Sequence, residues 1–429
     1  MVTISFDLNK MVTILSILGY IFFLQYAYSH LISPVYSYYT LTNLHPSAGV
    51  HLLSAFLAVL PACFANISVK RPSQAVFWIL YLFVAVPIMI IPDYVRENPF
   101  DNFFFFKLCV LLSLCILYGA GKMNLLEVYQ FKVYSLFIKL GLGVLAIGLL
   151  FILIKTYGLK TKLVGFDDVY DVRFSYRDST IGISGYVLSW WSKIVGPGLF
   201  VWGIVSKKYL FLFLGLVAQF IAYNISGQKS IILSVVFIVA VMLAMFKKGQ
   251  FFGRNFSILA FLLVTGCFLM DQLSGGIAFT ELISRRLLML PAVLTSHYFD
   301  FFSINPQTHL GHSVLGWLFP YSYHSTPAFL IGETYFGDAE VSANANLWAD
   351  AFSAFGYFGV FLFTCILSFI LWIYDSFVEG KNVLFFTGFI VMPIWGLIDS
   401  SLITSMLTHG ILIAVLLACF LRTDGIRSK

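Results

Sequence analysis

Twelve stretches of 17–24 residues with scarcely a charged side chain recur along this chain, at 11–28, 49–67, 75–92, 103–121, 133–154, 186–205, 209–225, 230–246, 256–272, 351–374, 383–401 and 404–421. Hydrocarbon offers a peptide group no hydrogen-bond partner, so a chain that enters it must close its own backbone bonds. About 20 residues of helix cross its thickness. The pattern therefore predicts an all-α polytopic membrane protein with about twelve transmembrane helices, a single membrane domain over 1–429. Only 11% of residues are charged, against about 25% in soluble domains, which excludes a secreted or cytosolic globular enzyme. The first run follows Lys10 without a small-residue cleavage site and reads as a retained anchor.

All six cysteines lie in apolar runs, and none has the spacing of a disulfide framework or a metal knuckle. The net charge of +6 contains no basic cluster denser than Lys247-Lys248, so nucleic acid is not an expected partner and the excess reads as an orientation signal. With the N-terminus inside, the inner segments carry fourteen Lys and Arg residues, from Lys10, Lys70 and Arg71 through Lys381 to Lys429. The short outer loops and their flanks carry three, Arg96, Lys107 and Lys229. Both termini are expected in the cytoplasm.

That orientation leaves two long outer loops, 155–185 and 272–350, as the places for chemistry. The second is rich in aromatic residues, and parts of it are expected to lie as helices on the membrane surface. In the first, Arg173 and Arg177 stand four apart, one face of a helix, where two planar forks suit a diphosphate. Tyr170 and the acids Asp167, Asp168, Asp171 and Asp178 flank them, so a self-neutralising surface loop is the alternative. In the second, Glu281 precedes Arg285 by four and is expected to pair with it, leaving Arg286 free, while Pro291 is expected to bend or end the helix. Lys229 follows a tight Ser226-Gly227-Gln228 turn, as a third cation or a helix-end lysine.

Acid–base candidates crowd 306–350: His309, His312, His324, Glu333, Asp338, Glu340 and Asp350. His309 and His312 have no third ligand at metal-like spacing, so neither a metal nor another cofactor is expected. Asp350 stands where NANLWAD (344–350) runs into an apolar stretch, as a helix-start acid, a carboxylate held at membrane depth, or both. His297 and Asp300 are weaker candidates. Within the apolar runs the ionisable residues singled out are Lys139, Lys193, Asp399 and His409. The two lysines lie near helix ends, and Asp399, beside Ser400 and Ser401, is placed to face the same outer cavity.

Three patches carry a family likeness: VYDVRFSYR (169–177), SGQKSIIL (226–233), and SRRLLMLP (284–291) together with NANLWADAFSAFGYFG (344–359). With twelve spans and arginines in both enlarged outer loops, the chain resembles the Wzy-type O-antigen or oligosaccharide repeat-unit polymerases of bacteria. It departs from that family's motifs in two places: eleven residues, not ten, separate Arg173 from Gly185, and His324 precedes Glu333 by one residue too many, with Thr334 following.

The resemblance implies a GT-C-like helical glycosyltransferase on the periplasmic face of the bacterial inner membrane. It implies undecaprenyl-pyrophosphate-linked oligosaccharide as substrate and a Wzz-type chain-length regulator as partner within the lipid bilayer. In that setting Arg173, Arg177, Lys229, Arg285 and Arg286 would hold the pyrophosphate, and Asp350, ahead of Glu333, would accept a proton. Tyr170, His297, His324 and Asn346 would touch glycan, with Trp317, Tyr321, Tyr323 and Tyr335 as stacking faces. An O-antigen ligase and a lipid-linked oligosaccharide flippase are the alternatives. The near absence of midplane charge and of internal symmetry argues against the second.

Overall fold

The computed structural model describes residues 7–98, 101–128, 135–158, 165, 172–173, 175–176, 179–180 and 182–421, the side chains of 135–139 excepted. Among these residues there are helices and no strand. Every apolar run lies on helix: α1 Leu8–Tyr39, α2 Ala48–Phe64, α3 Pro72–Val95, α4 Asn102–Ala120, α5 Ser135–Tyr157, α6 over 184–206, α7 Tyr209–Ser226, α8 Lys229–Ala244 and α9 Phe252–Ser274. After α10 Thr280–Ile304 and the short α11 Pro327–Phe336 come α12 Leu347–Val378, α13 Val383–Ile398 and α14 Leu402–Phe420. Among the described residues nine helices are long and apolar enough to cross a membrane, and α2, α8 and α13 are shorter apolar helices. Their starts follow local chemistry: the side chains of Asp101, Asn382 and Ser401 accept hydrogen bonds from the otherwise orphaned amides of Phe103, Phe385 and Thr404.

Contacts between helix ends fall into two sets. At one end Val69 N donates to Gly249 O, Arg71 to Gly121 O and Met123 O, Arg254 to Asn9, and Lys381 to Ala418 O. At the other end Leu44 N donates to Tyr94 O, Trp190 to Leu407 O, and Arg173 to Gly227 O. The first is the lysine-rich end and the second the loop end. α3 is the central post, buried along its length.

α10 is the helix that the sequence places at the front of the second long loop, and it is longer than expected. It occupies the front of the segment 272–350 and is long and apolar enough to cross a membrane. Both its ends nevertheless meet the loop end. Its first amides, with Phe279 N, are held by the Asp271 carboxylate at the end of α9, and its last turn is tied to Arg96 through Asp300 at 2.6 Å. Arg96 also pairs with Asp101 and lies 4.7 Å over the Phe103 ring. Thus one arginine clamps α10 to the α3–α4 connection.

Proline placement follows a rule here. The four π-helical segments among the described residues, 28–32, 81–85, 191–195 and 280–289, each end two residues before a proline: Pro34, Pro87, Pro197 and Pro291. A proline ring clashes with the carbonyl four residues back in an α-turn, and a wider turn relieves that clash. The residue before each proline donates five residues back, to Tyr28, Tyr81, Trp191 and Arg285. Carbonyls freed by the widening are then open to other helices. Tyr20 Oη donates to Leu82 O at 2.9 Å, and Gln219 Nε2 to Ser192 O at 2.8 Å. Of the two outcomes expected for Pro291, a bend or an end, the end does not occur: the wide turn takes up the ring and the helix runs on to Ile304.

α12 breaks in the middle. Phe355 and Gly356 leave helical geometry, Gly356 at φ 59° and ψ −146°, a region open in practice only to glycine. A Cβ there would fall 2.5 Å from Gln307 Nε2. The break separates the half-helix 347–354 from the rest, and Thr308 N fixes that half by donating to Ser353 O at 2.9 Å. Gly356→Ala is expected to destabilise the fold by about 1–3 kcal/mol, read as a lowered midpoint in thermal unfolding in detergent. An unchanged midpoint would mean the break is not needed.

Candidate functional site

A cavity of about 310 Å³ opens at the loop end between the half-helix of α12, the start of α11 and the α13–α14 junction. Asp350 lines it from the first turn of α12, only 7% exposed. Helix geometry puts it there: Asn346 caps the helix by accepting from Trp348 N and Ala349 N, and the positive helix start favours a carboxylate. No hydrogen bond or ion pair to the Asp350 carboxylate exists among the described residues. A buried carboxylate without a partner is costly, which marks it as a group kept for something other than stability.

His312 lines the same cavity, and its Nδ1 is buried without a hydrogen-bond partner. Burial lowers the titration of this imidazole from its ordinary value. The rest of the polar lining is hydroxyl and amide: Ser313, Thr326, Asn344, Ser400, Ser401, Thr404 and Thr408. Tyr298, whose Oη donates to Ala343 O at 3.1 Å, and Tyr186 supply aromatic faces. Ser401, Thr404 and Thr408 form a polar stripe at helical spacing in an otherwise apolar run, a signal present in the sequence. Asp399, placed by the sequence near this cavity, directly precedes the lining residues Ser400 and Ser401. Behind them Lys193 comes within electrostatic reach of Asp399 and His409, and His409 Nδ1 lies 3.2 Å from Ser405 Oγ.

The other candidates lie elsewhere. Glu333 pairs with His324 at 3.0 Å on the surface, 47% and 69% exposed. Asn346 donates to Thr295 Oγ1 at 2.7 Å in addition to its capping bonds. His297 is buried, bonded to Thr40 Oγ1 at 2.9 Å and stacked on Tyr335. Arg285 pairs with Glu281 at 3.2 Å and lies 4.3 Å over the Tyr36 ring, while Arg286 is half-buried and makes no ion pair among the described residues. Arg173 Nε donates to Gly227 O at 3.3 Å, which sets it against the turn leading to Lys229. Tyr170 and Arg177 lie outside the described residues. The structure thus brings Asp350 and His312 together and sets Arg173 near Lys229, but among the described residues no Lys or Arg lines the cavity. No cluster of three or more His, Cys, Asp or Glu able to hold a metal occurs among the described residues.

Fold and site define a multi-pass, all-α membrane protein with an acidic, hydroxyl-lined cavity at one end. No family model, curated protein or solved structure matches the chain.

Proposed function

We propose that the chain polymerises undecaprenyl-pyrophosphate-linked oligosaccharide repeat units at the periplasmic face of the inner membrane, and that Asp350 is its general base. The observation that carries this reading is the partnerless Asp350 carboxylate facing a hydroxyl-lined cavity. Support for the orientation comes from the lysines and arginines gathered at the opposite end of the bundle. The acceptor sugar's hydroxyl oxygen attacks the anomeric carbon of the growing glycan, the bond to the lipid pyrophosphate breaks, and Asp350 takes the hydroxyl proton. The departing diphosphate carries the negative charge away and is met by the cations Arg173, Arg177, Lys229, Arg285 and Arg286. Since none of the described cations lines the cavity, they act at its approaches, drawing in and holding the anionic donor. A Wzz-type regulator acting on chain length fits the same reading.

Deleting the gene tests it. Surface polysaccharide collapsing to core plus one repeat unit supports a polymerase. Loss of that single-repeat band points to a flippase, or to a ligase if lipid-linked polymer accumulates, and an unchanged ladder removes the glycan reading. Neutralising Arg177 or Arg286 to glutamine is expected to cut polymer growth about tenfold or more, with the amount of inserted protein unchanged on a membrane blot. Normal ladders from both variants would discard the cationic role.

A further inference from the structure

We propose that the Asp350 cavity is a subsite for an uncharged sugar ring and that it turns away a uronic acid. The inference rests on the glycan reading above and names the substrate class of that site.

Size and lining carry it. The volume of about 310 Å³ stands at the bottom of the ~300–1,000 Å³ range of small-molecule pockets, room for one sugar and its linkage and not for a whole repeat unit. Hydroxyls and an amide, from Ser313, Thr326, Asn344, Ser401, Thr404 and Thr408, surround it. Each can donate and accept, the match for a ring studded with hydroxyls. The imidazole of His312 adds a further polar group to the lining. Asp350 accepts from a sugar hydroxyl.

Charge decides the class. Among the described residues the lining contains one carboxylate and no Lys or Arg. A hydroxyl or acetamido group meets Asp350 as a donor. A sugar carboxylate meets it as a like charge, with no cation among the described lining residues to offset the repulsion. An uncharged ring is therefore expected to bind at least tenfold more tightly than its uronic-acid counterpart.

The test uses the full chain in lipid nanodiscs at pH 8.5, with methyl glucopyranoside, methyl N-acetylglucosaminide and methyl glucuronide as probes. Binding is read by saturation-transfer NMR and by competition among the three. The two neutral glycosides are expected to bind and to displace each other, with the glucuronide at least tenfold weaker. Asp350→Asn is expected to bring the glucuronide to within about twofold of the glucopyranoside, a change of preference that loss of structure does not produce. Thr408→Phe, which fills the cavity, is expected to remove binding of all three. Equal binding of glucuronide and glucopyranoside by the unaltered chain, absence of binding by every probe, or an unchanged preference in Asp350→Asn overturns the proposal. Neutral-sugar preference in a protein whose deletion leaves the polysaccharide ladder intact sinks the polymerase reading and keeps the subsite. A collapsed ladder with no such preference does the reverse.

Discussion

Asp350→Asn is expected to stop polymer growth while leaving the protein at least as stable as before. A positioned base is worth roughly 10²–10⁴ in rate, and an amide of nearly the same shape cannot accept the proton. A ladder that reports polymer length would collapse to one repeat unit. Stability should move the other way. The carboxylate is buried with no hydrogen-bond or ionic partner among the described residues, so its replacement by a neutral side chain relieves desolvation. A melting midpoint held or raised, together with a lost ladder, is the signature of a group retained for chemistry. Normal polymer in Asp350→Asn, or a protein that no longer folds, would sink the assignment.

Asp93→Leu is expected to produce the largest loss of stability in the molecule. Lys107 lies within α4 and Asp93 near the end of α3, both inside the bundle at 1% and 2% exposure. Their 2.5 Å ion pair is completed by Ser54 of α2, which donates to Asp93 Oδ2, and by Met89 O, which accepts from Lys107 at 2.8 Å. Removing the carboxylate leaves an ammonium buried with one carbonyl and one hydroxyl. Breaking one side of such a pair costs about 3–5 kcal/mol. The double change Asp93→Leu with Lys107→Met, which removes both charges, is expected to regain most of that. Unfolding in detergent, compared across the single and double variants, measures it. A single variant as stable as the parent would show that the pair does not hold α2, α3 and α4 together.

What the sequence made legible follows from what is local. Apolar runs bounded by capping residues place the helices, because both signals act over a few residues. α10 is half legible: the Glu281–Arg285 spacing and the aromatic-rich segment announce helix, but its charges give no sign that it runs on past Pro291 as one long helix packed through Arg285 on Tyr36 and through Asp300 on Arg96. Lys107 misleads in the same way. Counted along the chain it is an outer flank; in space it faces a carboxylate fourteen residues away. Asp350 is readable because a polar stretch running directly into an apolar helix leaves its first-turn acid conspicuous. The far wall of its cavity, 400–408, comes from residues fifty positions later, and no spacing rule connects the two. Asn346 shows the converse. Its hydrogen bonds all serve the start of α12 and its contact with α10, a role that a glycan-contact reading of the same amide overlooks.

Each π-turn beside a proline also absorbs one extra residue without turning the helix that follows. A turn that closes five residues back holds one residue more than an α-turn, and each α-helical residue accounts for 100° of rotation. In α3 the joint at 81–87 lies upstream of Asp93. Deleting one residue there would therefore do little to the length of α3. It would leave the phase of the loop-end half nearly unchanged as well, and would instead restore an ordinary α-turn that brings the Pro87 ring against the carbonyl four residues back, the clash that the wider turn relieves.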